Sequence, residues 1–231
     1  MYDGEIFNYK TSESLFEASA EYILRYCQKA VAEKGVFYLA ISGGKTPDLL
    51  FAELIKEKDS LPLDKIQLFW VDERCVPPDS PESNYGRAKK GLLQNFLLPK
   101  SNIHRIKAEE SDGELSYIED LKKLVPLNKS GFPVFDLVVL GVGPDGHTAS
   151  IFPEKLGLLP EDKVVLRVPP PEIVSPKLQR ITLSLETINA AKKKIFIITG
   201  SEKAELLDKI KNGQGNHFPA SKVTQAKWFV C

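Results

Sequence analysis

A single histidine follows a buried apolar run and three glycines near the middle of the chain. The run is Phe135–Leu140, and Gly141, Gly143 and Gly146 separate it from His147. Glycines let the main chain approach a ligand closely, and a histidine can take up and release a proton near neutral pH. We therefore expect His147 to carry the acid–base chemistry of this protein.

A second set of charged residues follows another apolar run. Asp72, Glu73 and Arg74 come directly after Ile66–Val71, which has the composition of a buried strand. Charged clusters of this kind often form only surface ion pairs. Because ligands of open α/β sheets bind at the carboxyl ends of strands, the position favours a functional role.

The segment Ser42–Pro47 is rich in glycine and follows the apolar run Val36–Ile41. Its end resembles a P-loop, but the first glycine of that motif would fall at Leu39, which excludes an ATP-binding P-loop. Pro47 suits the first turn of a helix, and the unpaired N–H groups of a helix N-terminus attract anions. Lys45 adds a positive charge, so the segment predicts an anion-binding loop.

The elements that position these loops alternate between strand and helix. The predicted helices are 12–33, 47–58, 84–96, 114–125 and 201–210, and the predicted strands are 36–41, 66–71, 135–140, 164–168, 180–185, 195–198 and 228–230. This alternation predicts an α/β fold with a doubly wound, largely parallel sheet and helices on both faces. We expect residues 1–231 to form one domain.

The glycines before His147 also match the dinucleotide-binding pattern G-x-G-x-x-G. That site requires a full helix after the glycines and an acidic residue at the end of the next strand. Pro153 is expected to limit the helix after His147 to about two turns, and the next strand carries Arg167 with no acidic residue after it. A dinucleotide site is therefore not favoured.

Composition narrows the possible partners. Lys and Arg together number 31, as do Asp and Glu, so no basic field suggests nucleic acid. No apolar run has the length of a membrane span, and residues 1–5 have neither the basic nor the apolar region of a signal peptide, so we expect neither. Three well-separated cysteines and three scattered histidines predict neither a disulfide nor a metal site. We expect a cytoplasmic protein, monomeric or a small homo-oligomer.

Six motifs in the expected order resemble the 6-phosphogluconolactonase family over nearly the whole chain. They are SGGKTP (42–47), VDERCVP (71–77), SNYGR (83–87), LGVGPDGHTASIFP (140–153), RITLSL (180–185) and TGSEKA (199–204). The wider group includes glucosamine-6-phosphate deaminases and isomerases of the NagB-type fold. The resemblance implies hydrolysis of 6-phospho-glucono-1,5-lactone to 6-phosphogluconate, the second step of the oxidative pentose phosphate pathway, without an obligatory cofactor.

The resemblance also implies a role for each candidate residue. His147 would take a proton from water, with Asp145 or Asp72 orienting the imidazole, and Arg74 with loop N–H groups would bind the oxyanion. The substrate phosphate would bind a set of seven residues: Ser42, Gly43, Gly44, Lys45, Thr46, Arg167 and Lys203. Arg180 is the alternative to Arg167 as the phosphate arginine, and strand alternation does not decide between them.

Two other functions are compatible with the motifs. The first is an amino-sugar-phosphate deaminase or isomerase. Deaminase relatives carry a glutamate five residues after their histidine, where this chain has Phe152, and an aromatic residue in place of Arg74. The second is a non-catalytic sugar-phosphate sensor, which the presence of His147, Asp72 and Asp145 disfavours. The lactonase is the favoured interpretation.

Overall fold

Strands and helices alternate along most of the chain, as the apolar pattern predicts. The computed structural model describes residues 3–160 and 162–231, apart from the side chains of Lys45, Ser201, Lys203 and Ala204. The strands are Glu5–Asn8 (β1), Phe37–Ile41 (β2), Ile66–Trp70 (β3), Asp72–Arg74 (β4), Ile103–His104 (β5), Leu137–Leu140 (β6), Val165–Val168 (β7), Arg180–Leu183 (β8), Lys194–Ile198 (β9) and Lys227–Val230 (β10). The α-helices are Ser12–Lys34 (α1), Lys45–Lys56 (α2), Asn84–Ala88 (α3), Gly113–Leu124 (α4), Leu185–Ala190 (α5) and Ser201–Lys211 (α6).

A parallel sheet of seven strands forms the centre of the molecule, in the order β1-β10-β9-β6-β2-β3-β5. Its middle strands are buried on both faces, which is why they read as continuous apolar runs. From β2 the chain continues outward to β3 and β5, whereas from β6 it continues in the other direction to β9 and β10. The strand order therefore reverses between β2 and β6, which is where a doubly wound sheet opens a ligand crevice.

A second sheet of three antiparallel strands, in the order β4-β8-β7, stands beside this crevice. Residues 72–74 form a strand of this sheet, so the prediction of a loop there was wrong. In its register Asp72 lies opposite Thr182, and Arg74 lies opposite Arg180. A charged segment of three residues has no apolar alternation of its own, so its strand conformation depends on pairing with a distant part of the chain.

Capping residues mark the starts of α1 and α3. Thr11 accepts a hydrogen bond from the main-chain N of Ser14 at the start of α1, and Gly35 ends that helix with φ 77°. Ser83 accepts a hydrogen bond from the main-chain N of Gly86 and caps α3, but α3 ends at Ala88 and continues as a π-helical turn. The helix predicted over 84–96 is therefore shorter than expected. None of the described helices is both long and apolar enough to cross a membrane.

The segment after His147 also differs from the prediction, because it does not enter a helix. The main-chain N of Ile151 donates to the carbonyl of Thr148 over 2.9 Å, which closes a tight turn. A 3-10 helix begins only at Pro153. His147 therefore lies in a compact loop that connects β6 with this 3-10 helix.

Asp136 fastens the amino end of the parallel sheet, opposite the crevice. Its carboxylate accepts a hydrogen bond from the main-chain N of Tyr38 over 2.9 Å. It also lies 2.7 Å from Lys34 Nζ and 3.0 Å from Lys192 Nζ. Because the Asp136 side chain is only 6% exposed, its loss would leave polar groups inside the protein without partners.

We expect Asp136→Ala to lower the free energy of unfolding by about 1–3 kcal/mol, because it leaves the Tyr38 N–H unsatisfied and two lysines without their counter-ion. Urea titration followed by circular dichroism measures the change. Asp208→Ala is the control, since Asp208 is 69% exposed in its pair with Lys211 and its loss should cost less than about 0.5 kcal/mol. Equal effects of the two substitutions would contradict the prediction.

Candidate active site

A cavity of about 200 Å³ opens at the carboxyl ends of β2 and β6 and against the small sheet. Its lining residues are Ser42, Gly43, Gly44, Thr46, Pro47, Asp72, Arg74, Asn84, Gly141, Val142, Gly143, His147, Ala149 and Arg180. The fold therefore brings the glycine-rich loop after β2, the charged strand β4 and the histidine loop after β6 to one place. Most of the residues predicted from the motifs meet there.

His147 is paired with Asp145 at the edge of this cavity. The Nδ1 atom of the imidazole lies 2.5 Å from Oδ1 of Asp145. Burial raises the pKa of the Asp145 carboxyl, but the hydrogen bond and charge of His147 outweigh this effect, so the pKa is lowered overall. An ionised Asp145 accepts the Nδ1 proton, which leaves the lone pair of Nε2 available for a proton from water.

Two further contacts fix the plane of the imidazole. The hydrogen of Gly143 that a Cβ would replace points at the ring, because a side chain there would overlap His147 and Asp145. The ring of Phe152 packs against the imidazole with 5.0 Å between centroids, and it is fully buried. The glycine of the predicted loop therefore makes room for the histidine side chain itself.

We expect Gly143→Ala to lower kcat for lactone hydrolysis, the activity that the motifs imply, about ten-fold or more. The new methyl group must displace the imidazole or its carboxylate partner. Steady-state kinetics together with a thermal melt separate this effect from a loss of folding. Gly91→Ala is the control, since a Cβ there would meet the Phe51 ring at an ordinary distance of 3.9 Å. If Gly143→Ala retains the full kcat, catalysis does not require the imidazole to lie against Gly143.

Asp72 forms a network separate from the His147–Asp145 pair. Its Oδ2 accepts from the Ser150 hydroxyl over 2.5 Å, and its Oδ1 accepts from Nδ2 of Asn84 over 3.2 Å. The residue is 5% exposed and lines the cavity. Of the two carboxylates predicted to orient the imidazole, Asp145 is the one hydrogen-bonded to it, whereas Asp72 forms part of the cavity wall.

Glu73 lies between two residues of the predicted site but has a structural role. Its carboxylate accepts from the main-chain N atoms of Arg74, Asn84 and Tyr85 over 2.7–2.8 Å. It also accepts from the Ser83 hydroxyl over 3.0 Å. Burial raises the pKa of Glu73 although these hydrogen bonds oppose the change. Glu73 therefore holds the start of α3 against β4.

Arg74 and Arg180 stand opposite each other on β4 and β8 and both line the cavity. The guanidinium of Arg180 lies 5.3 Å from the centroid of Phe152, and the residue is only 3% exposed. Burial lowers the pKa of Arg180, while the charge of Asp72 opposes this shift. The Nε atoms of both arginines are buried and have no hydrogen-bond partner among the described residues. Two cations side by side favour an anionic ligand.

Arg167, predicted to bind phosphate, lies outside the cavity. Its Nη2 donates to the carbonyls of Glu110 and Ser111, each over 3.2 Å, and its Nε lies 3.8 Å from a carboxylate oxygen of Glu114. These partners lie at and just before the start of α4. The structure therefore does not bring Arg167 together with the other predicted residues, and of the two alternatives for the phosphate arginine it is Arg180 that lines the cavity.

The N-terminus of α2 also lies at the cavity, with its main-chain N–H groups directed toward it. Gly44 has φ 117°, which favours glycine, and the helix has no side-chain cap. The N–H groups of Lys45 and Thr46 lie in the first turn, where a helix offers no carbonyl partner. This is the anion-binding arrangement that the sequence predicts.

The remaining predicted phosphate residues have different positions. The Ser42 hydroxyl donates to the carbonyl of Val139 over 3.0 Å, which ties β2 to β6. Gly43 lies so close to Asn84 that a Cβ would overlap that side chain. The side chains of Lys45 and Lys203 lie outside the described part of the structure, so their phosphate contacts stay predictions.

Sequence reasoning missed Asn84 as a member of the site. In the sequence, Asn84 is recognisable only as the first residue of a helix. In the structure, its side chain lies between Asp72 and Gly43 of the glycine-rich loop. In the described ranges, no group of three or more His, Cys, Asp or Glu side chains has the arrangement of a metal site.

The fold and the cavity define a doubly wound α/β protein that places a His–Asp pair beside cationic groups at the switch point of its sheet. This arrangement suits acid–base chemistry on an anionic ligand. Comparison with known proteins agrees with it. The chain belongs to the family described as glucosamine-6-phosphate isomerases/6-phosphogluconolactonase, whose sequence profile matches residues 10–230. The family predicted from the motifs is confirmed.

Individual relatives give the same picture. The human GDH/6PGL endoplasmic bifunctional protein is 41% identical over 204 residues, which cover 84% of this chain but only 25% of that protein. The 6-phosphogluconolactonase of Synechocystis is 36% identical over 187 residues, 79% of this chain and 74% of that enzyme. The crystal structure of the 6-phosphogluconolactonase of Thermotoga maritima matches with a TM-score of 0.86 at 27% identity and covers 99% of both chains. The predicted fold class is confirmed.

Proposed function

We propose that the protein hydrolyses 6-phospho-glucono-1,5-lactone to 6-phosphogluconate, and that His147 activates the attacking water. Relatives that match most of this chain are named for the lactonase, which is the activity predicted from the motifs. The observation that carries the mechanism is the 2.5 Å contact between His147 Nδ1 and Asp145 inside a cavity that also presents two arginines.

The reaction begins with proton transfer from water to Nε2 of His147. The hydroxide attacks C1 of the lactone, and the carbonyl oxygen becomes an oxyanion that Arg74 and main-chain N–H groups of the loops stabilise. The C1–O5 bond then breaks, and the imidazolium returns its proton to O5, the departing ring oxygen. Asp145 stabilises the charged imidazole between these two steps and keeps its orientation.

The phosphate of the substrate binds among the positively charged and main-chain donors that line the cavity. The N–H groups at the start of α2 and the guanidinium of Arg180 are the donors at the cavity that support this proposal, and Lys45 and Lys203 are predicted to join them. A dianionic group gains charge-assisted hydrogen bonds from such donors. Anchoring the phosphate holds C1 near His147, which turns binding energy into orientation.

The chemistry does not require a covalent intermediate. A δ-lactone is an activated ester, so one positioned water molecule and one base suffice. The hydroxyl of Ser150 is buried and donates to Asp72, and the thiol of Cys75 lies 3.5 Å from Nη1 of Arg167. Burial raises the pKa of the Cys75 thiol. Neither side chain is therefore prepared as a nucleophile.

Phe152 distinguishes this site from that of a deaminase. The deaminase relatives carry a glutamate at this position, whereas here an apolar ring lies fully buried between His147 and Arg180. No acid is available at this point to open an amino-sugar ring. The protein should therefore release no ammonia from glucosamine 6-phosphate.

A pH-stat assay on freshly prepared 6-phosphogluconolactone tests the proposal. Acid release should exceed spontaneous hydrolysis and depend linearly on enzyme concentration. Glucosamine 6-phosphate serves as the alternative substrate, with ammonia as the measured product. Ammonia release without acceleration of lactone hydrolysis would exclude the lactonase and favour the deaminase. Binding of 6-phosphogluconate with neither activity would indicate a sensor.

A further inference from the structure

The loop that carries His147 is attached to the small sheet by two hydrogen bonds of one buried residue, Ser150. The Ser150 hydroxyl donates to Oδ2 of Asp72 on β4 over 2.5 Å, and the main-chain N of Ser150 donates to the hydroxyl of Thr182 on β8 over 3.2 Å. Ser150 and Thr182 are fully buried, and Asp72 is 5% exposed. We infer that Ser150 is a positioning residue for His147, a conclusion that rests on the proposed function.

The backbone between His147 and Ser150 explains why an anchor is needed. Ala149 has φ 52°, in the left-handed region that residues with a Cβ rarely adopt. Such a conformation persists only where the surrounding structure holds it in place. The bond from Ile151 N to Thr148 O closes the turn locally, but it does not fix the turn relative to the rest of the site.

Asp72 is a suitable anchor because it is itself held from several directions. It is paired with β8 in the small sheet, and the side chain of Asn84 donates both to its carbonyl over 2.8 Å and to its carboxylate over 3.2 Å. The hydrogen bond between this carboxylate and Ser150 therefore fixes the histidine loop relative to β4. Without the Ser150 hydroxyl, the turn loses its shorter bond to the small sheet and keeps the 3.2 Å bond from Ser150 N to Thr182. We therefore expect Ala149 to relax toward negative φ and the imidazole to shift from its position.

The other hydrogen bonds of the loop act elsewhere. The main-chain N of Gly143 donates to the carbonyl of His147 over 2.9 Å, and the Thr148 hydroxyl donates to the carbonyl of Gly141 over 2.9 Å. Both stay within the loop. The main-chain N of Ala220 donates to the carbonyl of Gly146 over 3.1 Å, which ties the loop to the 3-10 helix Pro219–Lys222 and not to the small sheet. Ser150 is thus the point at which the loop meets the strand that carries Asp72 and Arg74.

The first test is Ser150→Ala. We expect kcat to fall about ten-fold while KM changes less than about two-fold, because the substrate contacts remain and only the base is misplaced. Ser19→Ala is the matched control, since Ser19 is also fully buried and its hydroxyl donates to the Leu15 carbonyl within α1. The control should leave both constants unchanged at a similar cost in stability. An unchanged kcat for Ser150→Ala would overturn the inference.

The second test observes the imidazole directly. The chain has three histidines, so their ring signals can be assigned by NMR with single substitutions. In Ser150→Ala the signals of His147 should shift or broaden, whereas those of His104 and His217 should not change. Movement of all three sets would indicate a general structural effect and overturn the inference. This measurement needs no turnover, so it remains decisive even if the wild-type protein proves not to be a lactonase.

A double-mutant cycle covers the case in which Ser150→Ala folds poorly. Ser150→Cys keeps a weak donor of similar size and should give a kcat between those of the wild type and the alanine variant. Combining Ser150→Cys with Asp72→Asn should lower kcat by less than the product of the two single effects, because both substitutions weaken the same bond. Independent, multiplicative effects would show that the two side chains do not act together.

Discussion

His147→Ala is expected to lower kcat by about 10²- to 10⁴-fold, the usual contribution of a positioned general base. Among the described residues that line the cavity, His147 is the only imidazole, and its substitution also removes the contact with the Asp145 carboxylate. Residual hydrolysis should remain, because the lactone is reactive and the cation sites still bind it. The initial rate in a pH-stat, corrected for the spontaneous reaction, measures the loss.

The fall in kcat can be assigned to the loss of a general base only if the His147→Ala variant still binds 6-phosphogluconate. The proposed phosphate ligands lie on α2, β8 and α6 and do not include His147, so the dissociation constant of 6-phosphogluconate should change less than about three-fold in a calorimetric titration. His217→Ala is the control, since that imidazole is exposed and does not line the cavity. Undiminished turnover by His147→Ala would remove the imidazole from the mechanism, whatever the control shows.

Much of the fold could be predicted from the sequence because its main elements carry strong local signals. The strand Leu137–Leu140 is apolar throughout, and α1 has a capping residue at one end and a glycine at the other. The strand β1 carries no comparable signal. Its four residues are mostly exposed, and it exists because it pairs with β10 from the far end of the chain. Such pairing is a tertiary effect that local pattern does not contain.

The same distinction holds at the candidate site. His147, Asp145 and the glycine-rich loop could be predicted because each follows a buried strand and such loops meet at one edge. The strand β4 could not be predicted, because its strand conformation depends on pairing with β8. That pairing also decides which arginine reaches the cavity. Arg167 and Arg180 lie on neighbouring strands of the small sheet, and their surroundings in three dimensions distinguish them, not their local sequences.

Arg180→Ala is expected to raise KM about 10²-fold, because it removes a buried cation that the substrate phosphate would contact. Truncating one partner of a buried charge pair costs about 2–5 kcal/mol, and each 1.4 kcal/mol corresponds to a factor of ten. A smaller fall in kcat should accompany this change, since Arg180 and His147 pack against the same ring of Phe152. Arg180→Lys should recover part of the affinity, because lysine keeps the charge but not the planar fork.

Arg167→Ala provides the matched comparison on the adjacent strand. Arg167 holds the carbonyls of Glu110 and Ser111 and does not line the cavity, so its loss should reduce stability by about 1–2 kcal/mol and leave KM within two-fold of the wild type. Michaelis constants and melting curves for both variants separate the two roles. The opposite result, with KM raised by Arg167→Ala and unchanged by Arg180→Ala, would place the phosphate outside the cavity. It would also require the lactone to bind in a different orientation relative to His147.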